Sequence, residues 1–357
     1  MSTHVEPPYL AWARAYAGQQ PLCLRGSGVP GRPLAPWLGA AESLATAPEC
    51  WHERAFVAAI ALREGAHQAQ VFPTLGTSGA NAALLALLFE RGGELLCERP
   101  TYDPLWRTGA AFGARVRFFD RRPQDAWRLD PIALESALTH ETRAVIIARP
   151  HNPTGADVPA ETLVQLGEMA EDHDLHIIVD EVYLPFIDGA VPAFRLHPRL
   201  VSTASLTKVF GLGEQRLGWV MGDEGLVERL FARRLDGEAL LPSLPFRLAL
   251  ACWSELDPWL AEARQRAAEG SAVLCAALGE LPGLRLGLGA TPYGFAWWGG
   301  DDRAACQQLE ARGVGVVPGH LFAARGGIRI GWARSVEDLR RAAPALREVL
   351  EQQLFPS

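Results

Sequence analysis

The 357-residue sequence has no long apolar run and no clustered cysteines. A membrane-spanning helix needs roughly 18 apolar residues, and a secretory signal needs a basic segment before an apolar one; the sequence has neither. The six cysteines form no Cys-x-x-Cys motif and no Cys/His pair, so neither a zinc site nor a disulfide framework is indicated. We expect buried cysteines and a cytoplasmic location, where thiols stay reduced.

Basic runs interleaved with aromatic residues are also missing, and the net charge is −7. These features argue against a nucleic-acid partner and favour a small-molecule ligand. Hydrophobic residues make up 48% of the chain, which is ample for more than one core. A chain of this length is expected to form one large and one smaller domain.

Short β-rich segments alternate with longer helical patterns from about residue 70 to 220. This alternation predicts an α/β fold with βαβ units around a mostly parallel sheet. The predicted strands lie near residues 94–98, 116–120, 144–149, 177–180, 200–202 and 217–221. The predicted helices lie near residues 80–91, 130–138, 159–174 and 225–235. The first of these is apolar on nearly every side and should be buried, with Gly92 and Gly93 ending it.

The remaining sequence predicts a smaller α+β domain. It would begin with one long helix at about residues 246–278 and continue with short strands and two further helices. The strands lie near residues 284–288, 294–298, 314–317 and 328–331, and the helices near 303–312 and 335–350. The first 45 residues are rich in Pro and Gly, which indicates an arm or a partial helix without a core of its own. The predicted boundaries are 1–45 for the arm or part of the small domain, 46–240 for the large domain and 241–357 for the small domain.

The segment around Lys208 combines a primary amine, the hydroxyl of Ser205 and the guanidinium of Arg216. A neutral lysine in a partly desolvated pocket can form a Schiff base with an aldehyde cofactor. The serine and the arginine suit a phosphate on the same cofactor. For this segment alone, an exposed lysine beside a solvated arginine is the alternative.

Two further segments suit a phosphorylated ring compound. Thr77, Ser78 and Gly79 stand directly before the predicted buried helix, where a phosphate would meet the helix N-terminus, although ordinary N-cap residues look the same. Tyr102 follows the predicted strand at 94–98, at the sheet edge where ligands bind. Its ring would stack on a conjugated ligand or pack in a proline turn.

Polar residues also end the later strands. Asn152 lies in an Asn-Pro-x-Gly turn, and Asp180 ends an apolar strand, where a buried carboxylate needs a cation unless it caps a loop. Tyr183 follows three residues later. Arg329 lies in an alternating run typical of a half-buried strand, and an inward arginine needs a carboxylate from a substrate or from a structural salt bridge.

The order and spacing of these segments resemble the class I/II aminotransferases, which are fold-type I enzymes dependent on pyridoxal 5′-phosphate. The resemblance covers about residues 70–335. It implies a mostly parallel, seven-stranded type of sheet flanked by helices, with a smaller α+β C-terminal domain. It also implies a homodimer that moves an amino group between an L-amino acid and a 2-oxo acid.

The resemblance assigns a role to each candidate residue. The phosphate would be bound by Thr77, Ser78, Gly79, Ser205 and Arg216. The ring would be held by Tyr102, Asn152, Asp180 and Tyr183. Lys208 would carry the Schiff base and then act as the general base, with Asp180 and Tyr183 as the other catalytic residues. The substrate would be bound by Arg329, Asn152 and Gly28. The peptide bond before Pro153 is expected to be cis.

The resemblance weakens near the N-terminus. The expected tyrosine that reaches the partner subunit's phosphate is missing, so either Trp51 or His52 replaces it or the contact is absent. Decarboxylation, β-elimination and an oxidative or cyclising reaction are alternatives on the same scaffold, and a non-catalytic effector-binding module is a more distant one. Five tryptophans favour a neutral or aromatic substrate if they line the pocket instead of the core: Trp12, Trp37, Trp51, Trp297 and Trp298.

Overall fold

The structure is a computed structural model that describes residues 8–16, 20–44, 51–235 and 240–355. In chain order its α-helices are α1 (Pro8–Ala15), α2 (Leu38–Ser43), α3 (Trp51–Glu64), α4 (Gly76–Leu88), α5 (Pro104–Ala111), α6 (Pro131–Ser136), α7 (Ala160–Asp172), α8 (Glu224–Arg234), α9 (Ser243–Ala251), α10 (Leu256–Leu278), α11 (Asp302–Ala311) and α12 (Val336–Leu354). Its strands are β1 (Leu22–Cys23), β2 (Val71–Leu75), β3 (Glu94–Arg99), β4 (Arg115–Asp120), β5 (Thr142–Ala148), β6 (His176–Asp180), β7 (Leu200–Ser205), β8 (Leu217–Met221), β9 (Arg285–Leu288), β10 (Tyr293–Trp297), β11 (Val314–Gly315), β12 (Val317–Pro318) and β13 (Gly327–Gly331).

Seven strands form the large sheet in the order β2-β8-β7-β6-β5-β3-β4. Strand β8 is antiparallel to both of its neighbours, and all other pairs in this sheet are parallel. The expected mostly parallel sheet is therefore confirmed. Strands β1 and β2 and helices α3 and α5 were not predicted; β2 has a proline, Pro73, at its centre, which argues against a strand. Helices α1 and α2 lie in the N-terminal segment, for which a partial helix was one of the two expectations.

Both faces of the large sheet are covered, which is why its strands are apolar runs instead of alternating ones. Along β5, Ile146 packs on one face in a cluster that includes Leu84 of α4. Its neighbours Val145 and Ile147 pack on the other face with Leu163 of α7. The sheet is thus a central layer between two layers of helices.

A second sheet, antiparallel throughout, has the order β12-β13-β10-β9 and packs with α10, α11 and α12 around a separate apolar cluster. Strand β1 pairs in parallel with β11, which attaches the N-terminal segment to this C-terminal part. The exact domain boundaries stay predictions. No helix in the described ranges is both long enough and apolar enough to cross a membrane.

Several local predictions were wrong. The long helix is two helices, because α9 ends at Ala251 and Pro258, which lacks an N–H, fits only near the start of a new helix. Helix α4 begins at Gly76 and ends at Leu88, before the two glycines. The cis peptide bonds precede Pro100 and Pro150, and not Pro153. Cys275 is exposed, whereas Cys50 lies outside the described residues.

Candidate active site

The loops after β3, β5, β6 and β7 meet at one edge of the large sheet, because the carboxyl ends of parallel strands share an edge. A cavity of about 1000 Å³ opens there. The predicted residues that line it are Thr77, Ser78, Tyr102, Asn152, Asp180, Tyr183, Lys208 and Arg216. Gly79 and Ser205 are not among the lining residues, Gly28 packs on Lys208, and Arg329 is covered by neighbouring side chains.

Asp180 is a buried carboxylate at the end of β6. Its Oδ2 accepts a hydrogen bond from the Asn81 amide at 2.9 Å, and its Oδ1 accepts one from the Val182 N–H at 3.2 Å. Burial raises the pKa of this carboxyl to about 6, although both hydrogen bonds and the charge of Lys208 act in the opposite direction. Since both hydrogen-bond partners are neutral, the carboxylate fits a protonated ring nitrogen.

None of the roles predicted from the sequence falls on Asn81 of α4. The Thr203 hydroxyl donates to its Oδ1 at 2.8 Å, so its NH₂ group must face Asp180. The side chain is buried in an otherwise apolar helix. That isolated polar residue on an apolar face is the sequence signal that marks it.

The start of α4 forms the other end of the cavity. Gly76 has φ +73°, and a Cβ at this position would lie 2.7 Å from Nη2 of Arg216, so only glycine lets the guanidinium approach the helix N-terminus. The Thr77 hydroxyl is buried without a partner. The Ser205 and Thr207 hydroxyls are 2.7 Å apart. A cation and a helix N-terminus around these hydroxyls, of which that of Thr77 is unpaired, fit a phosphate.

Lys208 is the only lysine in the chain. Its Nζ lies 3.5 Å from the Ser27 hydroxyl, which also accepts a hydrogen bond from the Tyr183 hydroxyl at 2.8 Å. Burial lowers the pKa of the Lys208 amine, against the effects of Tyr9 and Asp180. This shift favours the neutral, nucleophilic form of the amine over its charged form. No sequence motif pointed to Ser27.

The N-terminal arm packs directly on the lysine. The Val29 N–H donates to the Lys208 carbonyl at 2.9 Å. A Cβ on Gly28 would lie 3.0 Å from Cδ of Lys208. The predicted position of Gly28 beside the reacting groups thus rests on a close backbone approach, which a larger residue would disturb.

Arg329 is fully buried among neutral groups. Its Nη1 donates to Asn152 Oδ1 at 2.9 Å, and its Nη2 donates to the Tyr9 hydroxyl at 2.9 Å and to the Arg25 carbonyl at 3.0 Å. Its Nε has no partner, and no carboxylate of the described ranges pairs with it. The structural salt bridge considered from the sequence is therefore not formed there, and the site suits an added anion.

Aromatic rings surround this arginine. The Tyr9 ring packs edge-to-face on Tyr102 at 5.1 Å, and the rings of Tyr9, Tyr293 and Phe322 lie within 5.6 Å of the guanidinium carbon. Burial raises the pKa of Tyr102, so its hydroxyl stays protonated.

The tryptophans predicted to line a pocket do not line this cavity, whereas Trp106 does. Trp37 packs on Trp259, and Trp297 donates to the Arg325 carbonyl. Trp51 is 43% exposed. His52 is buried with its Nε2 2.7 Å from the Leu44 carbonyl, and neither residue reaches the cavity of its own chain.

The chain is similar to known aminotransferases in sequence and in fold. The sequence pattern of the family described as aminotransferase class I and II matches residues 35–346. An arginine–pyruvate transaminase from Pseudomonas aeruginosa is 29% identical over 294 residues, which are 76% of this chain and 72% of that protein. A capreomycidine synthase from Streptomyces vinaceus is 31% identical over 292 residues, which are 78% and 74%. A pyridoxal-phosphate-dependent aminotransferase structure from Streptococcus suis, 24% identical, covers 99% of this chain and 100% of its own with a TM-score of 0.85, which shows the shared fold.

Proposed function

The chain belongs to the class I and II aminotransferases, and on that premise we propose which of its residues carry the reaction and which substrates it takes. The enzyme is a pyridoxal 5′-phosphate-dependent aminotransferase that moves an amino group between an amino acid and a 2-oxo acid. The family, fold class, cofactor and reaction type predicted from the sequence are thus confirmed. The individual residue roles that follow are proposals.

When bound, the cofactor supplies an electron sink for the substrate's α-carbon. Asp180 would hold its ring nitrogen protonated, and Tyr102 would face the ring. Asn152 and Tyr183 would bind its phenolic oxygen. Its phosphate would be bound at the start of α4 by Thr77, Ser78 and Gly79. Ser205, Thr207 and Arg216, which lie near Lys208 in the sequence, would bind it from the other side. The unpaired Thr77 hydroxyl and the close approach of the Arg216 guanidinium to Gly76 at that end of the cavity support this assignment.

Lys208 would move the proton. Its neutral amine would take the proton from the substrate's α-carbon and would then deliver it to the cofactor. Ser27, which contacts both the Lys208 amine and the Tyr183 hydroxyl, would fix the direction of the amine. Gly28 keeps the arm close enough for that contact.

Arg329 would bind the substrate's α-carboxylate together with Asn152. The observation that carries this proposal is a fully buried guanidinium with neutral partners alone and one unpaired N–H. Leaving such a charge without an anion is costly, and a carboxylate offers the charge-assisted hydrogen bonds that it lacks.

We propose a neutral, apolar side chain for the amino acid. The cavity continues between α1 and α5, where the lining includes Leu10, Ala13 and Leu105. Arg107, the cation in this part of the lining, already pairs through its Nε with Asp103 at 3.1 Å, which offsets its charge.

The test is a panel of L-amino acids with 2-oxoglutarate, followed through glutamate formation. Neutral apolar donors should give the highest kcat/KM, and Arg329→Lys should lower kcat/KM about 100-fold because it loses the planar donor pair. Arg325→Lys, an exposed arginine nearby, is the matched control and should behave as wild type. Release of CO₂, ammonia or H₂O₂ without glutamate would overturn the proposed reaction.

A reaction other than amino-group transfer is the second candidate, since one relative is named a synthase, namely the capreomycidine synthase. The same assay separates the two, because glutamate forms only when the amino group is transferred. We also propose a homodimer in which the exposed Trp51 at the start of α3 faces the partner's site. Sedimentation equilibrium tests the dimer, and a cytoplasmic location stays a prediction.

A further inference from the structure

Tyr9 stands between the cavity and the buried Arg329. Its side chain lines the cavity, whereas Arg329 does not line it and has no exposed surface. Its hydroxyl accepts a hydrogen bond from Nη2 of Arg329, and the Arg25 carbonyl takes the other hydrogen of that nitrogen. A carboxylate that binds the guanidinium through two oxygens needs a hydrogen that Tyr9 now occupies.

The helix that carries Tyr9 is held at both ends. At its start, the Tyr9 ring packs on Tyr102 and on Phe322. At its end, the Arg25 guanidinium lies over the rings of Trp12 and Tyr16 and donates to the Tyr16 carbonyl at 3.0 Å. The start of α1 is therefore held through Tyr9 and its end through Arg25. If Tyr9 leaves Arg329, the end of α1 stays attached through Arg25.

We propose that Tyr9 closes the carboxylate site of the free enzyme and that a carboxylate ligand displaces its hydroxyl from Arg329. This inference rests on the proposed role of Arg329. The exchange is favourable because a buried cation gains an anion in place of a neutral phenol. A ligand without a carboxylate has nothing to offer Arg329 and leaves α1 closed. Tyr9 thereby makes opening of the site depend on the carboxylate of the substrate.

The Tyr9→Phe variant shows whether Tyr9 blocks the carboxylate or helps to bind it, because the two roles change the affinity for a carboxylate in opposite directions. The variant keeps the ring but loses the hydroxyl, so a carboxylate no longer has to break a hydrogen bond to a charged group. A carboxylate should then bind about tenfold more tightly. If Tyr9 instead helped to bind the carboxylate, the variant would bind it more weakly.

The probes form a matched set on the cofactor-loaded enzyme: 3-phenylpropanoate has the carboxylate alone, and 2-phenylethylamine has the amine alone. Calorimetry should show a lower Kd for 3-phenylpropanoate in Tyr9→Phe and an unchanged Kd for 2-phenylethylamine. Tyr16→Phe, at the other end of the same segment and outside the cavity lining, should change neither. An unchanged or higher Kd for the carboxylate in Tyr9→Phe would overturn the proposal.

Hydrogen exchange of the peptide that contains α1 gives a second readout without turnover. In the wild type, 3-phenylpropanoate should speed exchange in α1, and 2-phenylethylamine should not. Tyr9→Phe should exchange faster before any ligand is added. Slower exchange of α1 with the carboxylate would refute displacement. Both readouts stand even if no amino acid is transaminated, so failure of the proposed function is recognised separately.

Discussion

The side-chain amide of Asn81 donates a hydrogen bond to the carboxylate of Asp180 across 2.9 Å, from helix α4 to the end of strand β6. Thr203 on β7 fixes the direction of that amide. Three elements of the large domain thus hold one carboxylate in one orientation. Asn81 is a positioning residue for the group that would bind the cofactor's ring nitrogen.

Replacing Asn81 with Ala should weaken cofactor binding. The change removes a donor that lowers the pKa of Asp180, so the carboxylate becomes harder to ionise in its buried position. We expect the Kd for the cofactor to rise about tenfold, in line with loss of one hydrogen bond to a charged group. Fluorescence titration of the cofactor-free protein measures it. Thr203→Ser keeps the hydroxyl and should bind as wild type; equal affinity in Asn81→Ala would remove the positioning role.

Replacing Asp180 with Asn should stabilise the cofactor-free protein while abolishing activity. The folded-state pKa of Asp180 is about 6 against 3.8 for an ordinary aspartate. Its contribution to the free energy of unfolding is most favourable below pH 3.8, where the carboxyl is protonated in both states. This contribution is lost as the pH rises through 6, because Asp180 ionises at a lower pH in the unfolded chain than in the folded protein. The amide does not titrate, so the variant should gain up to about 3 kcal/mol over wild type between pH 4 and 7.

Urea unfolding at several pH values checks this expectation. Asp172→Asn, on the exposed surface of α7, is the control and should show no such pH-dependent gain. A constant difference between Asp180→Asn and wild type across this range would mean that Asp180 is ionised as easily as a surface aspartate.

Because Lys208 is the only lysine, amine chemistry reports on the site directly. In the cofactor-free protein, its acetylation rate should reach half its limit below pH 10.5, since burial lowers the pKa of the amine. Mass spectrometry of the Lys208 peptide, with a free lysine derivative in the same tube as reference, measures the profile. A midpoint equal to that of the reference would contradict the shift.

Lys208→Ala should lose the covalent link to the cofactor. Borohydride treatment should add the cofactor's mass to the Lys208 peptide of the wild type and to no peptide of the variant. The visible absorbance of the lysine-bound cofactor should disappear. Turnover should fall at least about a thousandfold, because the nucleophile and the base are both gone. Persistent absorbance in the variant would refute the assignment.

Ser27→Ala should slow turnover about tenfold by releasing the amine of Lys208 and the hydroxyl of Tyr183. A double-mutant cycle with Tyr183→Phe tests whether the two hydroxyls act together, with an expected coupling of about 1 kcal/mol in kcat/KM. Ser136→Ala, a surface serine in α6, should leave kcat/KM unchanged. Fully additive losses would show that the hydroxyl contact has no part in the reaction.

The sequence alone determined the residues that stand at strand ends. Tyr102, Asn152, Asp180 and Lys208 could be expected near one another because the carboxyl ends of neighbouring parallel strands lie at one edge of a sheet. The alternation of strands and helices fixed that sheet, and the order of the motifs identified the family. The only lysine of the sequence, Lys208, lines the cavity.

Only the tertiary structure decided which residues from outside those strand ends complete the site. Ser27 reaches Tyr183 across 156 positions, and Tyr9 reaches Arg329 across 320, so no local pattern records either contact. Asn81 acquires its role only because its face of α4 packs over Asp180. Local periodicity determines helices and strands, whereas docking of the N-terminal segment depends on buried charges and aromatic surfaces that exist only after the chain has folded.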